Sequence, residues 1–216
     1  MIVEMIEGSS FVSNCYIVGS EKSGIGMVVD PSTRLRNILR ATRRLELSIS
    51  IVVVTHTHPD HVGSLTQVVE ATEAEFLVHE REEISGLMQS LGRVVGMFQG
   101  GDLRRLPRPD RILRDGDVIK IGELEFSVIY TPGHTAGGIC LYGHGILFSG
   151  DTLFYQGVGR TDMPGMSHSR LMNSIVKTLM SLPDETKVYP GHGPSTTIGW
   201  ERNYNPFVRE WLRSGR

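Results

Sequence analysis

The stretch Ile51-Val52-Val53-Val54-Thr55-His56-Thr57-His58-Pro59-Asp60-His61 joins an apolar, β-branched run to three histidines and an aspartate. The whole chain holds eight histidines in 216 residues, so composition alone does not account for this crowding. Imidazole nitrogen and carboxylate oxygen are ligands that zinc, iron and manganese accept. A strand that ends in a tight turn can aim several such groups at one point. The segment therefore reads as a buried strand opening onto a metal site.

Three other places repeat this grammar. Val128-Ile129-Tyr130-Thr131-Pro132-Gly133 leads to His134, Ile146-Leu147-Phe148-Ser149-Gly150 to Asp151, and Val188-Tyr189-Pro190-Gly191 to His192. Sites on sheet proteins with helical layers gather beyond the carboxyl ends of strands, where loops converge. Singly, His134, Asp151 and His192 read as turn or hydrogen-bonded structural residues. Their shared position after strands argues for ligands. With His56, His58, Asp60 and His61 they can serve two metals that share one bridging ligand. His79, His144 and His168 lack this context and are read as structural, His79 being the nearest to a spare.

Glycine- and proline-punctuated apolar runs predict strands at 2–6, 11–18, 25–29, 49–55, 75–79, 118–121, 124–130, 138–142, 145–149 and 187–189. Helical periodicity appears at Leu35, Ile38, Leu39 and Leu45, opened by cap-like Ser32 and Thr33. It recurs at Val62, Leu65, Val68 and Val69, at Ile84–Phe98, and at Leu171, Ile175, Leu179 and Leu182, where Pro183 stops it. Strands come in clusters separated by single helices. That favours an α/β fold of two sheets packed face to face with helices outside, over one doubly wound sheet. Residues 1–216 read as a single domain. Residues 86–110 read either as a lid over the site or as a surface excursion.

Hydrophobic content of 39%, charged content of 21% and a net charge of −2 are ordinary for a soluble globular chain and give no footprint for nucleic acid. Arg34, Arg36, Arg40, Arg43 and Arg44 share one segment, which reads as a solvated helix face. Met1–Gly8 carries acids where a signal peptide carries lysine or arginine, and no apolar stretch is long enough to span a bilayer. Cys15 and Cys140 lie in strand-like runs without metal-site spacing, and are expected to be reduced, buried thiols in a cytoplasmic protein. A small molecule is the expected partner, with no membrane and no nucleic acid. Oligomeric state is not legible.

His56-x-His58-x-Asp60-His61, followed by His134, Asp151 and His192, resembles the metallo-β-lactamase fold superfamily of metal-dependent hydrolases. The stretches at 150–162 and 182–199, with Glu201-Arg202 and Asn205-Pro206-Phe207 beyond, are similar to the glyoxalase II (hydroxyacylglutathione hydrolase) branch, especially its short bacterial and archaeal members. The resemblance implies a four-layer αββα sandwich and two divalent metal ions, zinc first, with iron or manganese as alternatives. It implies that His56, His58 and His134 hold one ion, that Asp60, His61 and His192 hold the other, and that Asp151 bridges them. Asp30 matches an acid that helps orient the site loops; a helix-cap or turn role suits its chemistry equally well.

The activity implied is hydrolysis of an S-acylglutathione-type thioester by a metal-bridging hydroxide, with Asp60 and Asp151 as catalytic residues. Tyr155 and Arg160 are the substrate-side candidates, a salt bridge being the plainer role for Arg160. Arg209, Arg213 and Arg216 near the end of the chain are a weaker possibility for a glutathione carboxylate. Gly159-Arg160-Thr161-Asp162 also resembles persulfide dioxygenases, in which His56, His134 and Asp151 would form a single iron site. A lactonase or esterase, and a metal-stabilised scaffold without turnover, stay open beside it. The acidic net charge speaks against an RNA-processing nuclease, and the later motifs speak against a true β-lactamase.

Overall fold

Sheet strands that are buried on both faces have little reason to alternate polar and apolar residues, and the runs Met27–Val29, Ile51–Val53 and Ile146–Phe148 in the central strands are apolar and buried. The computed structural model describes residues 1–9, 11–82 and 107–215. Six strands form the first sheet in the order β1 (Ile2–Ile6), β2 (Cys15–Gly19), β3 (Ile25–Val29), β4 (Ser48–Val53), β5 (Glu75–His79) and β6 (Arg111–Leu113). The second sheet contains β7 (Val118–Ile121), β8 (Leu124–Tyr130), β9 (Ile139–Gly143), β10 (Ile146–Gly150), β13 (Lys187–Pro190) and β14 (Thr196–Thr197), in the order β14-β13-β10-β9-β8-β7. A small ribbon pairs β11 (Leu153–Phe154) with β12 (Gly157–Val158).

Alternate residues of each sheet serve two cores. Tyr16, Val18, Met27, Val29, Ile51 and Val53 face Phe126, Val128, Leu141 and Phe148 across the space between the sheets. Their neighbours Cys15, Ile17, Val28, Val52 and Val54 turn outward against α1 (Leu35–Arg44) and α2 (Leu65–Thr72). On the far side, Cys140, Leu147 and Val188 meet α3 (His168–Asn173), α4 (Ile198–Tyr204) and α5 (Pro206–Arg213). The result is the expected αββα order of layers. Cys15 and Cys140 are free, buried and on opposite outer faces, so a disulfide between them is excluded.

Several boundaries differ from the sequence expectation, each for a local reason. The strand expected at 49–55 ends at Val53, because the Thr55 N–H leaves the ladder to donate to Asp30 Oδ1 at 2.7 Å. The strand expected at 11–18 begins only at Cys15, since Ser9 and Val12 close a turn and Phe11 points into solvent. Helix α1 starts without a side-chain cap: Ser32 donates instead to the Ser13 carbonyl, and Arg34 occupies the cap position. Helix α2 does not begin directly after His61 but at Leu65, because 61–64 form the turn that presents the ligands. After α3 the chain widens into a π turn and then tightens into a 3₁₀ turn ending at Ser181, so the predicted stripe is not one uniform helix. The short strands β6, β11, β12 and β14 had no sequence signal. The stripe at Ile84–Phe98 and most of the proposed lid lie outside the described residues. Among the described residues, no helix is long and apolar enough to cross a membrane.

Candidate metal centre

Strand direction decides where the ligands meet. Strand β10 is antiparallel to β9, which is antiparallel to β8, while β10 and β13 are parallel. Strands β8, β10 and β13 therefore end at the same rim, and the loops after them carry His134, Asp151 and His192. Gly150 pairs with Pro190 across β10 and β13, which sets Asp151 beside the Gly191-His192 turn. The loop after β4 reaches this rim from the other sheet, where the Ile139 N–H donates to the Thr55 carbonyl at 3.0 Å. Gly191 must lack a side chain, because a Cβ there would overlap Asp151 Oδ1 and the His61 ring. Gly150, at φ +47°, leaves no room for a Cβ against Thr55.

The seven predicted ligands converge. His58 Nδ1 lies 3.0 Å from His56 Nε2 and 2.8 Å from His134 Nε2. Beside this trio, His192 Nε2 lies 3.1 Å from Asp60 Oδ2, and His61 Nε2 lies 3.8 Å from the same oxygen. Asp151 stands between the groups: Oδ1 is 3.2 Å from His61 Nε2, and Oδ2 is 3.5 Å from His134 Nε2 and 3.7 Å from His192 Nε2. Two three-ligand clusters, His56–His58–His134 and Asp60–His61–His192, can thus each hold a cation.

Hydrogen bonds behind the rings settle which nitrogen faces inward. A carbonyl oxygen only accepts, so His134 Nδ1–H donates to the Arg160 carbonyl at 2.9 Å and leaves Nε2 with a lone pair. His61 Nδ1–H donates to Asp30 Oδ2 at 2.9 Å. The Thr55 hydroxyl donates to Asp30 Oδ2 at 2.8 Å, so its oxygen accepts from His56 Nδ1–H at 3.1 Å. Asp30, buried with φ +51°, therefore orients two imidazoles, one directly and one through Thr55. It caps no helix.

For His56 and His58 the electrostatics agree with a ligand role. Burial foremost, then the neighbouring imidazoles, hold His56 well below the ordinary histidine range. Burial and His134 bring His58 down to about 4. Both rings are therefore neutral near pH 7 and can donate lone pairs. Burial would push the Asp60 and Asp151 carboxyls up, but the hydrogen bond from His192 to Asp60, and the charge of His61 beside Asp151, hold both low. Burial opposes a charge on His61, yet Asp151 and Asp30 on either side raise its pKa well above the usual value. His61 Nε2 and Asp151 Oδ1 are buried and neither makes a hydrogen bond of proper geometry. Two facing, unsatisfied ligand atoms of this chemistry fit a cation.

An open cleft of about 570 Å³ leads to the centre, lined by Phe154, Val158 and Met163 along with Arg160, His134 and His192. Arg160 reaches this cleft, but its guanidinium forms a bidentate pair with Asp162 at 2.8 and 2.9 Å. Tyr155 does not line it. Phe154 ends β11 and faces His192, so the next side chain points the other way, and Tyr155 stacks on Trp200 at a centroid distance of 6.2 Å. Arg209 and Arg213 also lie outside the cleft lining. His79 stacks on Tyr130, at 4.6 Å between centroids, and joins neither ligand cluster.

Two residues that support the loops escaped the sequence reading. Asn14 donates its backbone N–H to the Gly191 carbonyl and its amide to the Pro190 and Gly193 carbonyls, and so holds the turn that carries His192. Glu82 accepts hydrogen bonds from the loops after β4 and β8. Neither has a sequence signal, since a lone amide or acid in a loop looks like any other polar residue.

The family model of the metallo-beta-lactamase superfamily matches residues 9–192. A hydroxyacylglutathione hydrolase GloC of Haemophilus influenzae is 31% identical, over 96% of this chain and 98% of its own. The crystal structure of BLEG-1 B3 metallo-beta-lactamase superposes with a TM-score of 0.84 at 31% identity, covering 96% of this chain and 99% of that one. TTHA1623 in a di-iron-bound form gives 0.80 at 32% identity, covering 95% and 100%. ETHE1 from Myxococcus xanthus gives 0.81 at 29% identity, covering 97% and 85%. With the αββα layers and the ligand-bearing rim on the same chain, the protein belongs to the metallo-β-lactamase superfamily of metal-dependent hydrolases.

Proposed function

We propose that this chain is a glyoxalase II-like thioesterase that cleaves S-acylglutathione-type substrates with two divalent metal ions. One observation carries the reading: Asp60, His61 and His192 form a second complete cluster beside His56, His58 and His134, with Asp151 in reach of both. The likeness to GloC supports the thioester class. Zinc suits the ligand set best, and iron is a real alternative given the di-iron relative.

A pair of bound cations supplies a Lewis acid for the acyl oxygen and an activated water near neutral pH. The protein does the rest. Phe154, Val158 and Met163 form the apolar wall against which an acyl chain can lie. Asp60 lines the same cleft, and its ionised carboxylate can accept a hydrogen bond from the attacking water and orient it. Asp30 and Thr55 keep His56 and His61 in the tautomers that present Nε2 inward, so no ligand must reorganise during turnover. The buried thiol of Cys140, pushed up to about 11 by burial, is no nucleophile.

A second reading has its own observation. The Gly159–Asp162 turn with its Arg160–Asp162 pair, and the likeness to ETHE1, fit a persulfide dioxygenase using one iron on His56, His134 and Asp151. Elemental analysis of purified protein, run beside a thioester assay, an oxygen electrode with glutathione persulfide and a chromogenic β-lactam, separates the readings. Two metals per chain with thioester cleavage are expected. One iron with oxygen uptake and no thioester cleavage would overturn the proposal, as would turnover of the β-lactam alone.

A further inference from the structure

Glu82 follows β5 and touches no candidate ligand, yet its carboxylate joins two of the ligand-bearing loops. Oε2 accepts from the Thr57 N–H at 2.8 Å and from the Thr57 hydroxyl at 2.7 Å. Oε1 accepts from the Thr135 hydroxyl at 2.5 Å and from the Gly137 N–H at 3.0 Å. Thr57 lies between His56 and His58, and Thr135 follows His134. Each oxygen thus serves one loop, and the four acceptor positions of an ionised carboxylate are all used. Packing points the same way: a Cβ at Gly137 would collide with the backbone of Arg81 and Glu82, so the loop after β8 is pressed directly against this segment.

We infer that Glu82 is a positioning residue whose carboxylate staples the His56–His58 loop to the His134 loop and so sets the three-imidazole half of the centre. The inference rests on the metal reading above. Its chemistry predicts a selective defect. In Glu82→Gln one oxygen remains and an NH₂ faces two donors, so one loop is released whichever way the amide turns. Glu82→Asp is one methylene too short to reach both loops. Thr135→Val removes a single bond while keeping the side-chain shape.

The test is a Co²⁺ titration of metal-free protein, followed by visible absorption, with metal content measured after dialysis. Wild-type chain is expected to bind two ions. Glu82→Gln is expected to lose about 10- to 100-fold in affinity at one site only, the range seen when a group orienting metal ligands is removed. Thr135→Val should weaken the same site by less, and serves alone if Glu82→Gln does not fold. Two sites of unchanged affinity in these variants, or equal weakening of both, would overturn the staple while leaving the metal reading intact. A wild-type chain that binds no Co²⁺ would instead overturn the metal reading beneath it.

Discussion

The two halves of the centre use similar side chains but are held by different means. His56, His58 and His134 form a trio of imidazoles on two loops; His56 and His134 are almost fully buried, and the supporting contacts run through Thr55, Glu82 and the Arg160 carbonyl. The half made by Asp60, His61 and His192 adds a carboxylate of its own, and Asp60 and His192 are 28% and 29% exposed. The turn that carries His192 is held by an amide, Asn14, while His61 rests on the Asp30 carboxylate. Counting Asp151 for both, an ion in the second half faces two negative charges and one in the first faces a single one. The second half therefore suits harder, oxygen-seeking cations and opens more readily to water, whereas the first is the more enclosed and nitrogen-rich.

Removing Asp151 should take one negative charge from each half and so weaken both. Asp151→Ala is expected to lower thioester hydrolysis on the order of 10³-fold or more, the several kcal/mol that metal Lewis acidity contributes. Circular dichroism should remain native, because the two sheets and their cores do not depend on Asp151. His58→Ala should cost comparably in rate yet remove only one of two ions. An Asp151→Ala protein that keeps both metals and full rate would dismantle the bridging role.

Asn14→Ala sharpens the contrast by striking only the second half. It leaves the Gly193 carbonyl without its Asn14 partner, and losing a part-buried hydrogen bond of this kind costs about 1 kcal/mol of stability. The Pro190 carbonyl retains its bond from the Tyr16 hydroxyl, which limits the damage. In the Co²⁺ titration this variant should weaken one site, and a double variant with Glu82→Gln should weaken both, additively if the halves are independent. Weakening of a single common site by both variants would mean that the halves are not separately supported.

What the sequence could disclose follows the range of the forces involved. Strands such as those holding Ile51–Val53 and Ile146–Phe148 were legible because burial on both faces demands unbroken apolar runs. The ligand set was legible because metal chemistry restricts residue types and strand ends restrict their position. Asn14 and Glu82 were not, because each acts on carbonyls, hydroxyls and N–H groups from loops distant in sequence, Glu82 across 25 and 53 residues. The early end of β4 was hidden for the same reason, since Asp30 captures Thr55 only once the fold has formed. The place of Tyr155 was not legible because a two-residue strand fixes its direction, and nothing in Leu153-Phe154-Tyr155 shows which ring faces the ligand cluster.

That placement supplies the smallest effect and the cleanest control. Tyr155 and Phe154 are adjacent aromatic residues, but only Phe154 lines the cleft, its ring standing edge-on to His192 at 6.0 Å. Phe154→Ala removes apolar wall from the acyl side, and losing about 1.5–3 kcal/mol of side-chain burial predicts a KM raised roughly 10-fold or more, with a smaller change in kcat. Tyr155→Ala removes a ring that rests on Trp200 outside the cleft, so both constants should stay within about twofold, the only cost being a stacking contact of about 1 kcal/mol in stability. Steady-state kinetics on a series of acyl chain lengths checks the pair. If Tyr155→Ala proved the more damaging for long chains, the acyl group would have to lie along the Tyr155–Trp200 face, and the cleft over the ligand cluster would not be where the substrate's apolar end binds.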